Sequence, residues 1–239
     1  MPRLELIDLR FRYEAMQMRF DLAVETGEFL ALIGPSGAGK STLLSLIAGF
    51  DRPESGRLLI DGADITRLRP AERPVTLLFQ DHNLFAHLSI ADNVGLGINP
   101  GLRLDRADRD RVESALAEVG LAGLGSRRPA QLSGGERQRA ALALALVRNR
   151  PILLLDEPFA ALGPALRREM LDLVDRMRRA RGLTVLLVSH QPGDARYAAD
   201  RTAFVEAGAI RHVAPTAAFF AEPQPPAVAA YLGEAGSGA

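Results

Sequence analysis

The run GPSGAGKST, Gly34 to Thr42, sets glycines at 34, 37 and 39 around one lysine and its neighbouring hydroxyls. Those glycines let the backbone curl until successive amides converge on one centre, an arrangement suited to phosphate oxygens. The string fits the spacing G-x-x-x-x-G-K-[ST], which average residue usage produces by chance in about one chain per hundred of this length. Gly34, Pro35, Ser36, Gly37, Ala38, Gly39, Lys40, Ser41 and Thr42 are therefore expected to cradle a nucleoside triphosphate. Lys40 would reach the β and γ phosphates, and the Ser41 hydroxyl would ligate Mg²⁺. A second stretch, PILLLDEP, ends an apolar run on Asp156 and Glu157. Ionised groups there are costly unless a cation or hydrogen bonds receive them. Asp156 suits the metal, and Glu157 suits the water that attacks the γ-phosphate.

These residues need elements that hold them in place. Apolar runs at Leu4–Phe11, Phe29–Ile33, Leu58–Ile60, Val75–Phe79, Ile152–Leu155 and Val185–Val188 read as strands, the later ones apolar throughout, as strands buried on both faces are. The opening LELIDLRF alternates, as an antiparallel strand with one exposed face does. The sheet is expected to be mixed. The phosphate run lies between a strand, FLALI, and a helix opening LLSLIAG, so helix polarity adds to the amide cradle. From about 84 to 147 the spacing turns helical, with Val112, Leu116 and Val119 on one face. RTAFVEAGAIRHVAP reads as a hairpin turning at Ala207-Gly208, and the Gly/Ala/Ser end of the chain reads as a frayed tail. The organisation expected is a single domain over 1–239, with a core of about 1–83 and 148–215, a helical insertion at 84–147 and a tail from 216.

A third stretch, LSGGERQR, places a serine and two glycines before a helical run that is expected to begin near Glu136. It resembles the signature of the ATP-binding cassette (ABC) family, and it lies between the two phosphate-site motifs, as that signature does. Other positions match the family in order. Tyr13 resembles the adenine-stacking ring, with Phe11 as the alternative. Gln80 resembles the glutamine that reaches both metal and γ-phosphate, and His190 the switch histidine. The resemblance implies an α/β fold of the P-loop NTPase type, with a mixed sheet, flanking helices, a helical signature subdomain and an N-terminal antiparallel portion. It also implies that Ser133, Gly134, Gly135 and Gln138 serve the ATP of a second copy across a head-to-tail dimer. Ser41, Gln80 and Asp156 would share Mg²⁺, and Glu157, His190, Gln80 and Lys40 would carry hydrolysis.

Residues 78–104, LFQDHNLFAHLSIADNVGLGINPGLRL, resemble the importer branch, and within it the ATP-binding subunits of bacterial thiamine importers. This implies docking of a membrane permease near 84–97, indirect service to a periplasmic solute-binding protein, and a peripheral place on the cytoplasmic face of the inner membrane. Thiamine or its phosphates is the implied solute, with ferric iron, sulfate or a polyamine as alternatives. One departure stands out: where the family usually reads Ser-Ala-Leu-Asp, this chain has Ala160, Ala161, Leu162 and Gly163, and weaker coupling between two sites or a slower ATPase is expected.

Composition narrows the field further. Lys plus Arg and Asp plus Glu are 29 each, so no basic stripe invites nucleic acid. A DNA-maintenance ATPase also needs a long coiled coil between its motifs, whereas 112 residues separate Thr42 from Leu155. No cysteine is present for thiol or disulfide chemistry. No apolar run approaches the roughly 18 residues of a membrane helix.

Overall fold

The computed structural model describes residues 2–79 and 83–236. The chain begins with β1 (Pro2–Tyr13), β2 (Met16–Glu25) and β3 (Phe29–Ile33), then α1 (Lys40–Ala48), β4 (Ser55–Ile60), β5 (Ala63–Asp64) and β6 (Val75–Leu78). Helices α2 (Ile90–Gly95), α3 (Arg106–Glu118) and α4 (Gly134–Arg148) precede β7 (Ile152–Asp156), α5 (Pro164–Arg181) and β8 (Thr184–Val188). The remainder is α6 (Pro192–Ala198), β9 (Arg201–Glu206), β10 (Ala209–Pro215), α7 (Thr216–Ala221) and α8 (Pro226–Gly236).

The sheet order is β5-β4-β1-β2-β10-β9-β3-β8-β7-β6. β3, β8, β7 and β6 run parallel, with β9 parallel to β3, while β1 pairs antiparallel with both β2 and β4. All five residues of β3 and all five of β8 are buried, which is why their sequences are apolar without alternation. β1 alternates because only one of its faces is covered. The β9–β10 hairpin turns at Ala207 (φ 46°) and Gly208 (φ 75°), both left-handed, as a two-residue turn between twisted strands requires.

Successive side chains of β7 supply two cores. Ile152 and Leu154 pack towards α1, while Leu153 and Leu155 pack towards α4 and α5. A third, smaller core joins Ala31 and Ile33 of β3 to Phe204, Phe219 and Val228. It accounts for a difference from the sequence reading: the end expected to fray is helical through Gly236, because α8 turns Val228, Tyr231 and Leu232 onto that core. Residues 237–239 lie outside the described part of the chain.

Helix α1, which starts at Lys40, is fixed at its other end by Arg73, a residue only 1 % exposed. The Arg73 guanidinium donates to the carbonyls of Leu46 and Ile47 at 2.6 and 2.8 Å and to those of Thr66 and Leu68 at 3.0 Å each. Arg73→Met removes every one of these donors and leaves helix-end carbonyls buried without partners. The variant should lose about 3 kcal/mol of stability, seen as a melting temperature lower by roughly 6–12 °C for a chain of this size.

Candidate functional site

Parallel register places the chemistry on one edge. Val188 of β8 stands between Leu32 of β3 and Asp156 of β7, so Gly34, Glu157 and Ser189-His190 all leave the sheet within about one rung. Gly34 begins the loop at φ 146°, and a Cβ there would lie 2.0 Å from the Val205 carbonyl oxygen, so only glycine fits. Gly39 precedes α1 in the left-handed region and caps it with no side chain. The first amides of α1 therefore stay available to an anion, and the helix dipole points the same way.

Lys40, 4 % exposed, donates its Nζ to the carbonyls of Gly34 and Pro35, each at 2.7 Å. Burial pushes its ammonium below the ordinary lysine range, opposed by the charges of Glu157 and Asp156. The Ser41 hydroxyl donates to Asp156 Oδ1 at 2.9 Å. Burial raises the Asp156 carboxyl, with the Ser41 hydrogen bond working against the shift and the Glu157 charge adding to it. Glu157 sits at φ 49°, an uncommon conformation for a side chain of its kind, with its amide bonded to the Val188 carbonyl at 3.1 Å. That turn aims its carboxylate at His190, whose Nε2 lies 2.5 Å from Glu157 Oε1.

A cleft of about 210 Å³ opens over this edge, lined by Tyr13, Met16, Met18, residues 36–42, Glu157 and His190. Tyr13 is 57 % exposed at its rim, whereas Phe11 packs against the core, so the ring facing the cleft is Tyr13. Gln80 lies outside the described residues. Ser133, Gly134, Gly135 and Gln138 are absent from the cleft lining and sit at the start of α4. The helix there begins at Gly134, two residues earlier than the sequence suggested. Ser133 is its N-cap, accepting from the Glu136 amide at 3.2 Å, while Glu136 accepts from the Ser133 amide at 2.7 Å. A Cβ on Gly135 would meet Leu166 at 2.8 Å, whereas one on Gly134 would make ordinary contact with Leu162 at 3.9 Å and Arg137 at 4.0 Å.

Sequence reasoning missed Tyr231, whose hydroxyl donates to the His190 carbonyl at 3.3 Å. Nothing local announces a tyrosine that acts 41 positions from its partner. It also missed Arg167, 8 % exposed, and Ser189, 6 % exposed, although Ser189 directly precedes the histidine it did single out.

Residues 18–160 match the family described as ABC transporter. The thiamine import ATP-binding protein of Chelativorans sp. (strain BNC1) is 56 % identical over 227 residues, covering 95 % of this chain and 92 % of that protein. The thiamine import ATP-binding protein of Cereibacter sphaeroides is also 56 % identical, over 96 % of this chain and 99 % of its own length. The crystal structure of a nucleotide-free ATP-binding cassette from an ABC transporter superposes with a TM-score of 0.87 at 23 % identity, covering 97 % of this chain and 99 % of that one, a likeness of fold. With the phosphate loop, the paired acids, the histidine and the serine-capped helix in the order that the family has them, this chain belongs to the ABC transporter family as an ATP-binding cassette.

Proposed function

We propose that this ATPase drives import of thiamine or its phosphates through a separate membrane permease, working as a dimer closed by ATP. The hydrolytic part rests on one observation, the Glu157–His190 contact at 2.5 Å on the strand edge that also carries Lys40. The choice of solute rests on relatives 56 % identical over nearly the whole chain that bear thiamine import names.

In this reading, Lys40 gives up its loop carbonyls to bind the β and γ phosphates, and the α1 amides surround them. Glu157 orients the attacking water and takes its proton, and the imidazole of His190 fixes the carboxylate and faces the γ-phosphate. Tyr13 stacks on the adenine. A hydroxyl and a carboxylate 2.9 Å apart, Ser41 and Asp156, form an oxygen donor set that fits Mg²⁺. Among the described residues no group of three or more His, Asp or Glu could hold a metal unaided, in keeping with an ion that takes most of its ligands from phosphate and water. Bound there, with Gln80 as the further ligand, Mg²⁺ supplies positive charge to the phosphate oxygens.

The start of α4 takes no part in lining its own cleft, and in this reading its first amides and helix dipole receive a phosphate carried by a second copy. The permease surface is assigned to residues 84–97. Phe85, 57 % exposed, is presented there by Asn93, which accepts from its amide at 2.6 Å and donates to its carbonyl at 3.0 Å. Nearby, Phe50 and Phe79 form a second exposed pair with ring centroids 5.9 Å apart. An apolar helix end of a membrane protein suits such a surface. Among the described residues no helix is long and apolar enough to cross a membrane, so contact with the cytoplasmic side of the inner membrane runs through that permease. The periplasmic solute-binding protein acts on this chain only through the permease.

Glu157→Gln should bind ATP as the wild type does, lower turnover at least about 100-fold and accumulate as a dimer in light scattering. Wild-type turnover in that variant would remove Glu157 from the mechanism. Reconstituted with the permease encoded beside it, the protein should hydrolyse ATP faster when a thiamine-loaded binding protein is added. Stimulation by iron-, sulfate- or polyamine-loaded protein instead would reassign the solute. The raised Asp156 gives a further expectation. An acid whose folded pKa exceeds its unfolded one costs stability while ionised and nothing once protonated in both states. Asp156→Asn should therefore raise the melting temperature of the nucleotide-free protein at pH 7, and the gain should fade as pH falls below the ordinary carboxylate range.

A further inference from the structure

The loop that follows Glu157 has no polar side chain to hold it: Ala160, Ala161, Leu162 and Gly163 form it, and Gly163 caps α5 with no side-chain hydrogen bond. Its backbone closes on itself twice, from the Ala160 amide to the Glu157 carbonyl at 3.2 Å and from the Leu162 amide to the Phe159 carbonyl at 3.0 Å. Phe159 and Leu162 anchor it in the core, and its polar support comes from Arg167 in the first turn of α5. Its buried guanidinium donates to the carbonyls of Leu162 at 2.9 Å and of Phe159 and Ala160 at 3.4 Å each.

No carboxylate touches this guanidinium among the ion pairs of the described residues, yet one faces it. Arg167 and Asp194 line a common cleft of about 360 Å³ between α5 and α6. Asp194 in turn accepts the Ser189 hydroxyl at 2.6 Å, and Ser189 Oγ accepts the Gln191 amide at 3.0 Å, so Ser189 and Asp194 brace the backbone on both sides of His190. Burial raises the Asp194 carboxyl while the Ser189 hydrogen bond and the Arg167 charge pull it down, which puts the two groups within each other's field. The connections form two arms that meet across the cleft without touching. One runs from Glu157 through residues 159–162 to Arg167, the other from the Glu157 carboxylate through His190 and Ser189 to Asp194.

From this arrangement we infer that Arg167 and Asp194 are positioning residues whose facing charges across the cleft couple the 160–163 loop to the His190 loop and so hold Glu157 and His190 in register. They stand in for the polar side chains that the loop lacks. The inference rests on Glu157 and His190 being the hydrolytic pair, and misplacing such a pair slows the chemical step without weakening ATP binding.

The test compares the full chain with Asp194→Asn, Arg167→Met, the double variant and Glu157→Gln. Asp194→Asn should lower kcat about 10-fold and leave KM for ATP within about 2-fold, with the melting temperature nearly unchanged. Hydrogen exchange at the Ala160 and Leu162 amides, which belong to a different segment, should quicken at least about 5-fold. The double variant should be no slower than the slower single. Asp194 is half-buried and Asn keeps its shape, so Asp194→Asn carries the test even where Arg167→Met fails to fold. Wild-type kcat or unchanged loop exchange in Asp194→Asn, beside an inactive Glu157→Gln, would overturn the inference alone. So would a parallel loss of kcat, KM and melting temperature, which marks a merely structural role. An active Glu157→Gln would overturn the hydrolytic reading and the inference with it.

Discussion

Charges that act on phosphate have to be dry enough to be strong and yet cannot sit within hydrocarbon, which confines them to the carboxyl ends of the buried parallel strands. β3, β8 and β7 meet this constraint through their pairing, because Val188 fixes Leu32 on one side and Asp156 on the other. A slip of one residue would turn Asp156 towards the opposite face and exchange the side chains serving the two cores. The apolar run of each strand thus sets the position of the acid that ends it.

Around that edge the protein accepts local penalties. Lys40 and Asp156 are each pushed towards neutrality by burial, in opposite directions, and Glu157 is held in left-handed backbone. Charges kept short of solvent in this way have much to gain from a polyanion and its counter-ion, which is how preorganised sites gain their strength. The scaffold is correspondingly stiff. Arg73 seals the far end of the helix whose first turn faces phosphate, and Tyr231 ties the His190 backbone to the core beside β3.

Much of this was legible in the residues. The phosphate loop, the acids after β7 and the histidine after β8 are local strings, and the continuous apolar runs of β3, β7 and β8 announce burial on both faces. β2 is absent from the strands read off the sequence although Met18, Phe20, Leu22 and Val24 alternate inward, because charged and polar residues interrupt its apolar positions and leave no continuous run. In sequence Glu136 looks like the first helical residue of α4, whereas the reciprocal bonds between Ser133 and Glu136 show it to be the third. Long-range partners were out of reach. No spacing rule places Arg73 under α1, Asp194 opposite Arg167 or Tyr231 behind His190.

The chain has no tryptophan and three tyrosines, at 13, 197 and 231. Two of them occupy informative places, Tyr13 on the rim of the nucleotide cleft and Tyr231 against the His190 carbonyl. The third, Tyr197, lies on α6, bonded to Asp172 at 2.9 Å. Phenolic ultraviolet emission from the unlabelled polypeptide therefore originates largely beside the reaction centre, giving a native optical gauge of nucleotide entry and of the histidine loop, free of any indole background.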